Sequence, residues 1–537
     1  MDRNCYTASA LPHVSALFRD YVAGLAERKE ELLPFYSPLY RENAWMGHPP
    51  AMDADTRSVI ATLLATQNRG FGAAPATFAN LDRLAEGAAA VVTGQQVGLF
   101  GGPLLTLLKA ASAIRLAADA SRDGHPHVPI FWLASEDHDF EEINQATFLT
   151  ATGLETLRLP GNPAPGRPVG DLPLGDGILP LLENARRCLG ESSIADLLAS
   201  TYTPTATFAS AFAAFLTKVF SEHGLIVIDA SARSFHALAQ STLRAAIQQA
   251  DTIHAALLER TNELERAGYH AQVMVGDSSS LLFLLDENSG ERNALKKTPQ
   301  GTWSAAGQQY TSSDLLAILE EAPERISPNV LLRPVMQDTL LPTSVYIGGP
   351  AEIAYFAQSQ VVYQHILGRA TPVLPRFSAT LIDPRMAKIL EQHQLSLPDV
   401  FTTGEALAQQ LGARSMPVEG KRKLAAAGNA LDRELQLLTE WMHAQDASLG
   451  HAADVAASKM LYQMNRLRQL SANFTLQREQ SLRRHADALC LQLFPNGNLQ
   501  ERVLAGAGFL AATGPSLVDL LVERARSGIC AHQALYL

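Results

Sequence analysis

Five carboxylates and one histidine crowd into Glu136 to Glu142, inside the string SEDHDFEE (135–142). His138 stands between Asp137 and Asp139, where adjoining carboxylates favour its imidazolium, so the three form a candidate general acid–base set. Glu136 is a candidate binding residue beside them, and the same oxygens are of the kind that hold a divalent cation. Consecutive residues cannot all point one way, so only some of the five can face one pocket. The plainer alternative is an acidic first helical turn, where Asp and Glu complement the helix dipole.

Two other strings suit the handling of anions. In TGQQVGLFGGP (93–103), Thr93, Gly94, Gln95, Gln96, Gly101 and Gly102 lie between an apolar β-branched run and a helix. Glycines there let backbone N–H groups approach an anion at a helix N-terminus, and the two glutamines add amides. A tight turn that needs positive φ is the alternative. The spacing is neither G-x-G-x-x-G nor G-x-x-x-x-G-K-[ST], so no general nucleotide fingerprint is present. The second string, LLRPVMQDTLLPTSVYIGGPAEIAYFAQ (331–358), carries Arg333, Gln337 and Asp338 before an apolar strand, then Gly348, Gly349 and Glu352 where a helix begins. Arg333 is suited to clamp a carboxylate or phosphate through two N–H groups. No residue is assigned as a metal ligand: the two histidines of GHPH (124–127) have no third ligand nearby, and Cys5, Cys188, Cys490 and Cys530 are too scattered for a zinc site.

These strings need a scaffold. The runs at 88–94, 128–135, 225–230 and 343–347 read as strands buried on both faces, with helices between them, which predicts an α/β core with a parallel sheet. A helical segment, 1–87, precedes a core of 88–385, which is interrupted at about 151–207 and 239–328. The second interruption is expected to hold a hairpin of 271–275 with 281–286. A linker, 386–423, leads to apolar residues in three- and four-residue steps through Leu424, Leu431, Leu435, Leu438, Met442 and Leu449, resumed at Ala453, Ala457, Met460 and Met464. That pattern predicts an antiparallel coiled coil over 424–492, with a helical end piece at 493–537.

Of 537 residues, 43 are Lys or Arg and 54 are Asp or Glu, a formal net charge of -11. That balance argues against nucleic acid as the main partner, which needs clustered cations. No apolar run is long enough to span a bilayer, and the start lacks a signal-peptide core, so no membrane partner and a cytoplasmic location are expected. Free thiols rather than disulfides are the expectation there.

The strings 93–110, 129–144, 224–230, 268–273, 331–358, KMLYQMNRL (459–467) and LFPNGNLQERVL (493–504) together make the chain resemble the bacillithiol biosynthesis cysteine-adding enzyme family, BshC. The resemblance implies a Rossmann-like core with two inserted connecting segments and a C-terminal coiled coil that forms a homodimer. It also implies amide formation between the carboxylate of cysteine and the amine of glucosaminyl malate, the last step of bacillithiol synthesis. Carried over by position, the sheet-edge residues above match the family's motifs, and Asn496, Gly497, Gln500, Glu501 and Arg502 match a C-terminal motif that marks a second candidate site. A free carboxylate acylates an amine too slowly, so ATP is the expected co-substrate, with Mg²⁺ to balance phosphate charge. The chain departs from nucleotidyl-transferase signatures: no H-x-G-H follows the first strand, and Ser458 to Met460 falls in the coiled coil. A nucleotide- or thiol-binding assembly module acting through the coiled coil is the alternative function. An RNA-dependent synthetase fits the fold but not the charge.

Overall fold

The structure is a computed structural model that describes residues 4–27, 30–161, 164–525 and 530–537. The chain divides into two compact units, one of residues 1–380 with 501–533 and one of 381–500 with 534–537.

At the centre of the first unit is a five-stranded parallel sheet made of β1 (Ala89–Gln96), β2 (His127–Ala134), β3 (Ile226–Asp229), β4 (Thr343–Gly348) and β5 (Val373–Pro375). Its spatial order is β3-β2-β1-β4-β5. The chain steps outward from β1 to β3 and then returns to the other side of β1, so the switch point of this Rossmann-like sheet lies between β1 and β4. Open α/β sheets bind ligands there, outside the carboxyl ends of the strands. The strands are apolar because both faces are covered: residues 89–94 of β1 and all of β4 are buried. Burial gives way to partial exposure only at Gln95 and Gln96, where β1 emerges.

Two helices hold the switch point. The helix α1 (Leu105–Arg122) follows β1 and is buried along most of its length, and α4 (Pro350–Leu367) follows β4 and is likewise sunk in the core. Two shorter helices, α2 (Arg233–Leu238) and α3 (Arg333–Leu340), flank β3 and precede β4. The first 87 residues contribute the helices Ala16–Glu27, Ala54–Gly70 and Pro75–Ala85; Asn68, fully buried, bonds both N–H and C=O of Val227 on β3. Residues 1–3 and 28–29 of that segment lie outside the described residues.

Three expectations need correction. Residues 271–275 form no strand; Leu282–Leu285 pairs instead with Arg292–Ala294 and Ile326–Pro328. The partner Arg292–Ala294 is short and polar, so it carries no alternation to read. Residues 386–423 are no extended linker but carry the helices Pro384–Gln392 and Gly404–Ser415 and the start of the next. Cysteines 525 residues apart in sequence are neighbours in space: Cys5 and Cys530 form a disulfide, with Cα atoms 5.4 Å apart, because Cys5–Tyr6 pairs antiparallel with residues 532–533. Cys188 and Cys490 are free, and burial pushes both thiols up to about 11.

In the second unit α5 (Val418–Gln445) and α6 (Ala447–Arg478) pack as an antiparallel hairpin, turned at Asp446, whose side chain accepts from Ser448 N and Leu449 N. Its inner seam buries Gly428, Leu435, Gly450 and Met464. Gly428 lets the Arg468 guanidinium lie close over the helix, since a Cβ there would stand 2.1 Å from it and turn that exposed side chain aside. Leu438 faces outward instead, and the coil ends at Glu479, before the separate helix Gln480–Leu493. The end piece contains helices but finishes in the strand His532–Tyr536.

Candidate functional site

The switch point is organised by Lys109, the one charged residue on the buried face of α1. It is 3% exposed, and its ammonium reaches Gly94 O at 2.6 Å, Gln95 Oε1 at 3.0 Å and Glu352 Oε2 at 2.5 Å. Three donors thus meet three acceptors, as a buried ammonium requires. Burial pushes Lys109 below its ordinary value, and Glu352 offsets part of this. Glu352 also accepts from Tyr346 Oη and from Gly349 N, both at 2.6 Å. Burial alone would raise its carboxyl, but Lys109 and the Gly349 N–H outweigh it and hold the group below the ordinary range.

Beside this pair stands Arg333, the first residue of α3. Its guanidinium donates to Gln337 Oε1 at 3.0 Å and Tyr355 Oη at 3.3 Å, and lies against the rings of Tyr346 and Trp132, 5.3 and 5.9 Å from their centroids. Among the described residues no carboxylate forms an ion pair with it. A second arginine, Arg376, bonds Gly348 O through its backbone N–H, and its guanidinium is compensated by Glu501 through two bonds of 2.8 and 2.6 Å. Burial raises the Glu501 carboxyl but Arg376 lowers it more, down to about 2. Arg502 is exposed and within electrostatic reach of Arg376, Glu501 and Glu352. The β4 side of the crevice therefore gathers four cations, Lys109, Arg333, Arg376 and Arg502, against two carboxylates, and it suits an anion.

The β2–β3 side has the opposite character. Gln96, between the two, donates to Asp137 Oδ2 and Glu142 Oε2, both at 2.8 Å. Glu136 turns inward to His236 Nε2 at 2.9 Å, while Nδ1 of that buried imidazole meets Ile326 O at 3.1 Å. A carbonyl only accepts, so Nδ1 carries a proton and the His236–Glu136 pair shares another. Ser135 Oγ donates to Asp229 at 2.5 Å at the end of β3. Carboxylates dominate here, which suits an ammonium group.

The structure brings Gln95, Gly348, Gly349, Glu352, Arg333 and Gln337 together at the carboxyl ends of β1 and β4, with Gln96, Glu136 and Asp137 beside the end of β2. Other candidates have different roles. His138 is exposed, and its Nδ1 lies 3.8 Å from Asp137 Oδ1, beyond hydrogen-bonding distance; its ring faces Phe283. Asp139 caps the short helix Phe140–Ile143. Thr93 is buried and ties β1 to β4 through Ile347 O. Gly94 is a packing requirement, since a Cβ there would meet Trp132 O at 2.8 Å. Gly101 and Gly102 are buried with φ of 84 and 70°; their N–H groups bond Tyr202 Oη and Leu99 O, so this loop offers no open cradle. Asp338, within α3, is buried and accepts from Tyr363 Oη and Thr371 Oγ1.

Of the second candidate site, Asn496 and Gly497 make a positive-φ turn, and Gln500 bonds Leu381 N, Leu381 O and Gln492 O in the second unit, while Glu501 and Arg502 belong to the first. Among the described residues no group of three or more His, Cys, Asp or Glu is arranged to hold a metal ion, and no helix is long and apolar enough to cross a membrane. Lys109, Arg376 and His236 were not foreseen from the sequence. The trace of Lys109 was a lone cation in the apolar run LLTLLKAASAI (104–114).

The parallel sheet, its switch point and a two-signed polar crevice define a Rossmann-like α/β protein with an appended coiled coil. Comparison with known proteins narrows this. The N-terminal Rossmann-like domain of bacillithiol biosynthesis BshC matches residues 1–377, and the C-terminal coiled-coil domain of BshC matches 379–537. The chain belongs to the BshC family. Relatives named "Putative cysteine ligase BshC" include those of Koribacter versatilis, 42% identical over 98% of both chains, Solibacter usitatus, 36% identical over 96% of both, and Salinibacter ruber, 32% identical over 91% of this chain and 92% of the relative.

Proposed function

We infer that the protein is a cysteine ligase of bacillithiol synthesis, joining the cysteine carboxylate to the amine of glucosaminyl malate after ATP-dependent activation of the carboxylate. The observation that carries this reading is Arg333, a half-buried guanidinium at the switch point that makes no direct ion pair among the described residues and has Glu352 only within electrostatic reach. A buried charge of this kind is costly unless a counter-ion arrives with the ligand. Carboxylate or phosphate fits the fork of Arg333, with the N-terminus of α4 adding its dipole.

The chemistry follows from the two poles. The cysteine carboxylate attacks a phosphorus of ATP, giving an acyl phosphate with ADP or an acyl adenylate with pyrophosphate. The acceptor amine, having lost its proton, attacks the acyl carbon, and phosphate or AMP leaves with the bonding pair. The β4 pole neutralises charge on the phosphoryl oxygens, and the β2–β3 pole attracts the ammonium. Asp137 and Glu142, which share the Gln96 amide, would be the residues to hold a Mg²⁺ travelling with ATP, where the ion would offset phosphate charge.

The coiled coil supports a homodimer reading. Leu437, Leu438 and Trp441 on α5, and Leu467, Leu470 and Phe474 on α6, are each about half exposed at three- and four-residue steps. A second copy would cover such stripes.

The test is reconstitution: purified protein with cysteine, glucosaminyl malate and ATP, followed by mass spectrometry of the thiol product. Product formation that Arg333→Ala abolishes supports the reading. Absence of product with all three substrates present sinks it.

A further inference from the structure

The disulfide between Cys5 and Cys530 is linked to the switch point through strand pairing, a series of hydrogen bonds and the Arg376 side chain. It fastens Cys5–Tyr6 to the C-terminal strand, with Ala531 N donating to Tyr6 O at 3.1 Å and Tyr6 opposite His532. His532 is wholly buried between Ser378 Oγ at 2.7 Å and Thr380 Oγ1 at 2.8 Å. Ser378 donates onward to Glu501 Oε1 at 2.8 Å. Glu501 holds Arg376, whose backbone N–H bonds Gly348 O beside the switch point. Every residue in this path belongs to the first unit.

We propose that Cys5–Cys530 is an exchange site for a low-molecular-weight cysteinyl thiol, and that opening it loosens the Arg376–Glu501 clamp. Both cysteines are only partly buried, so an attacking thiolate can reach them. A thiolate attacks one Sγ; a mixed disulfide forms, the protein S–S bond breaks, and the other cysteine leaves as thiolate and takes a proton. A second thiolate then releases the small disulfide, so two thiols are oxidised as one protein disulfide is reduced. The element that switches is the pairing of Cys5–Tyr6 with residues 532–533. A pairing of only two residues frays unless tied, and fraying admits water to His532, which bonds on both ring nitrogens only while its strand is seated. On the ligase reading, accumulated thiol product would open the pair and slow its own synthesis, and exchange with the small disulfide, running the same two steps in reverse, would restore it.

The experiment uses the full chain, purified in air without reductant. Intact mass and thiol titration in denaturant should show two free thiols of four, and cysteine or cysteinylglycine, the latter modelling the amide product, should add to Cys5 or Cys530. A response to cysteine alone assigns the substrate as the regulator; a response to cysteinylglycine as well assigns the product class. Hydrogen–deuterium exchange over 346–350 and 376–380 should rise at least fivefold on reduction and in Cys5→Ser and Cys530→Ser, which should then ignore added thiol. This readout needs no ligase activity, so its failure is distinct from failure of the proposed function. Four free thiols in the air-purified protein, or exchange that reduction and both variants leave unchanged, would overturn the proposal.

Discussion

Replacing Lys109 by Met tests how the switch point is held together. The substitution keeps the length of the apolar stem and removes the ammonium, leaving Glu352 with Tyr346 Oη and Gly349 N as partners. The orphaned carboxylate can protonate, which caps that part of the cost near the free energy of neutralising an ordinary carboxyl at pH 7, about 3.5 kcal/mol at 1.36 kcal/mol per pH unit. Loss of the bonds to Gly94 O and Gln95 Oε1 adds ~1 kcal/mol each. The Glu352 side chain is 17% exposed, so water relieves part of this, and the expected loss is about 3 to 5 kcal/mol, the range for a broken buried pair. The pH dependence has a defined sign. In the parent Glu352 lies below its ordinary value, so its contribution is present above about pH 4.5 and is lost in acid. In Lys109→Met the same group is raised, so stability is lost as pH rises through the carboxylate range, and the gap between the two proteins widens from about pH 4.5 towards neutrality. Urea unfolding followed by tryptophan fluorescence in a Trp441→Phe background reads the first unit alone, since Trp45, Trp132 and Trp303 all lie there. Lys109→Met with Glu352→Gln should recover at least half of the loss. A deficit below about 1 kcal/mol, or one that is flat with pH, would refute the buried-pair reasoning.

Arg333→Lys should lower kcat/KM at least 100-fold with little change in melting temperature, because no carboxylate is left unpaired; a parallel fall in stability would show a structural role instead. Leu438→Glu with Trp441→Glu should halve the mass seen by light scattering while the hairpin stays helical, whereas Leu431→Glu, on the inner seam, should destabilise the coil itself. Burial holds His532 down to about 4, so it contributes stability above its ordinary pKa of about 6.5 that is lost as pH falls towards 4. His532→Gln should flatten the stability profile in that window, and an unchanged slope would count against the buried neutral imidazole.

The sheet was legible because strands buried on both faces leave uninterrupted apolar runs, and each run ended at a glycine or a polar cluster that marks its carboxyl end. The crevice was half legible: Gln95, Gln96, Arg333 and Glu352 stand out as polar residues at those ends. Lys109 and Arg376 were hidden because each is a single cation whose partner, Glu352 or Glu501, is more than a hundred residues away, a pairing that composition and spacing do not encode. His138 drew attention through its neighbours in sequence, yet the turn after β2 points it outward and leaves Glu136 to meet His236. The loop of Gly101 and Gly102 had the composition of an anion cradle, but Tyr202 and Leu99 occupy its N–H groups. The disulfide was invisible for the same reason as the ion pairs, since contact between the two ends of a chain leaves no local signature.

The central claim, carboxylate activation at this crevice, is tested most directly with cysteine labelled by ¹⁸O in its carboxylate, supplied with ATP and glucosaminyl malate. One labelled oxygen should appear in phosphate or AMP for each amide formed, and Arg333→Ala should abolish transfer and product together. Amide formed with no label in either phosphate or AMP would contradict the account.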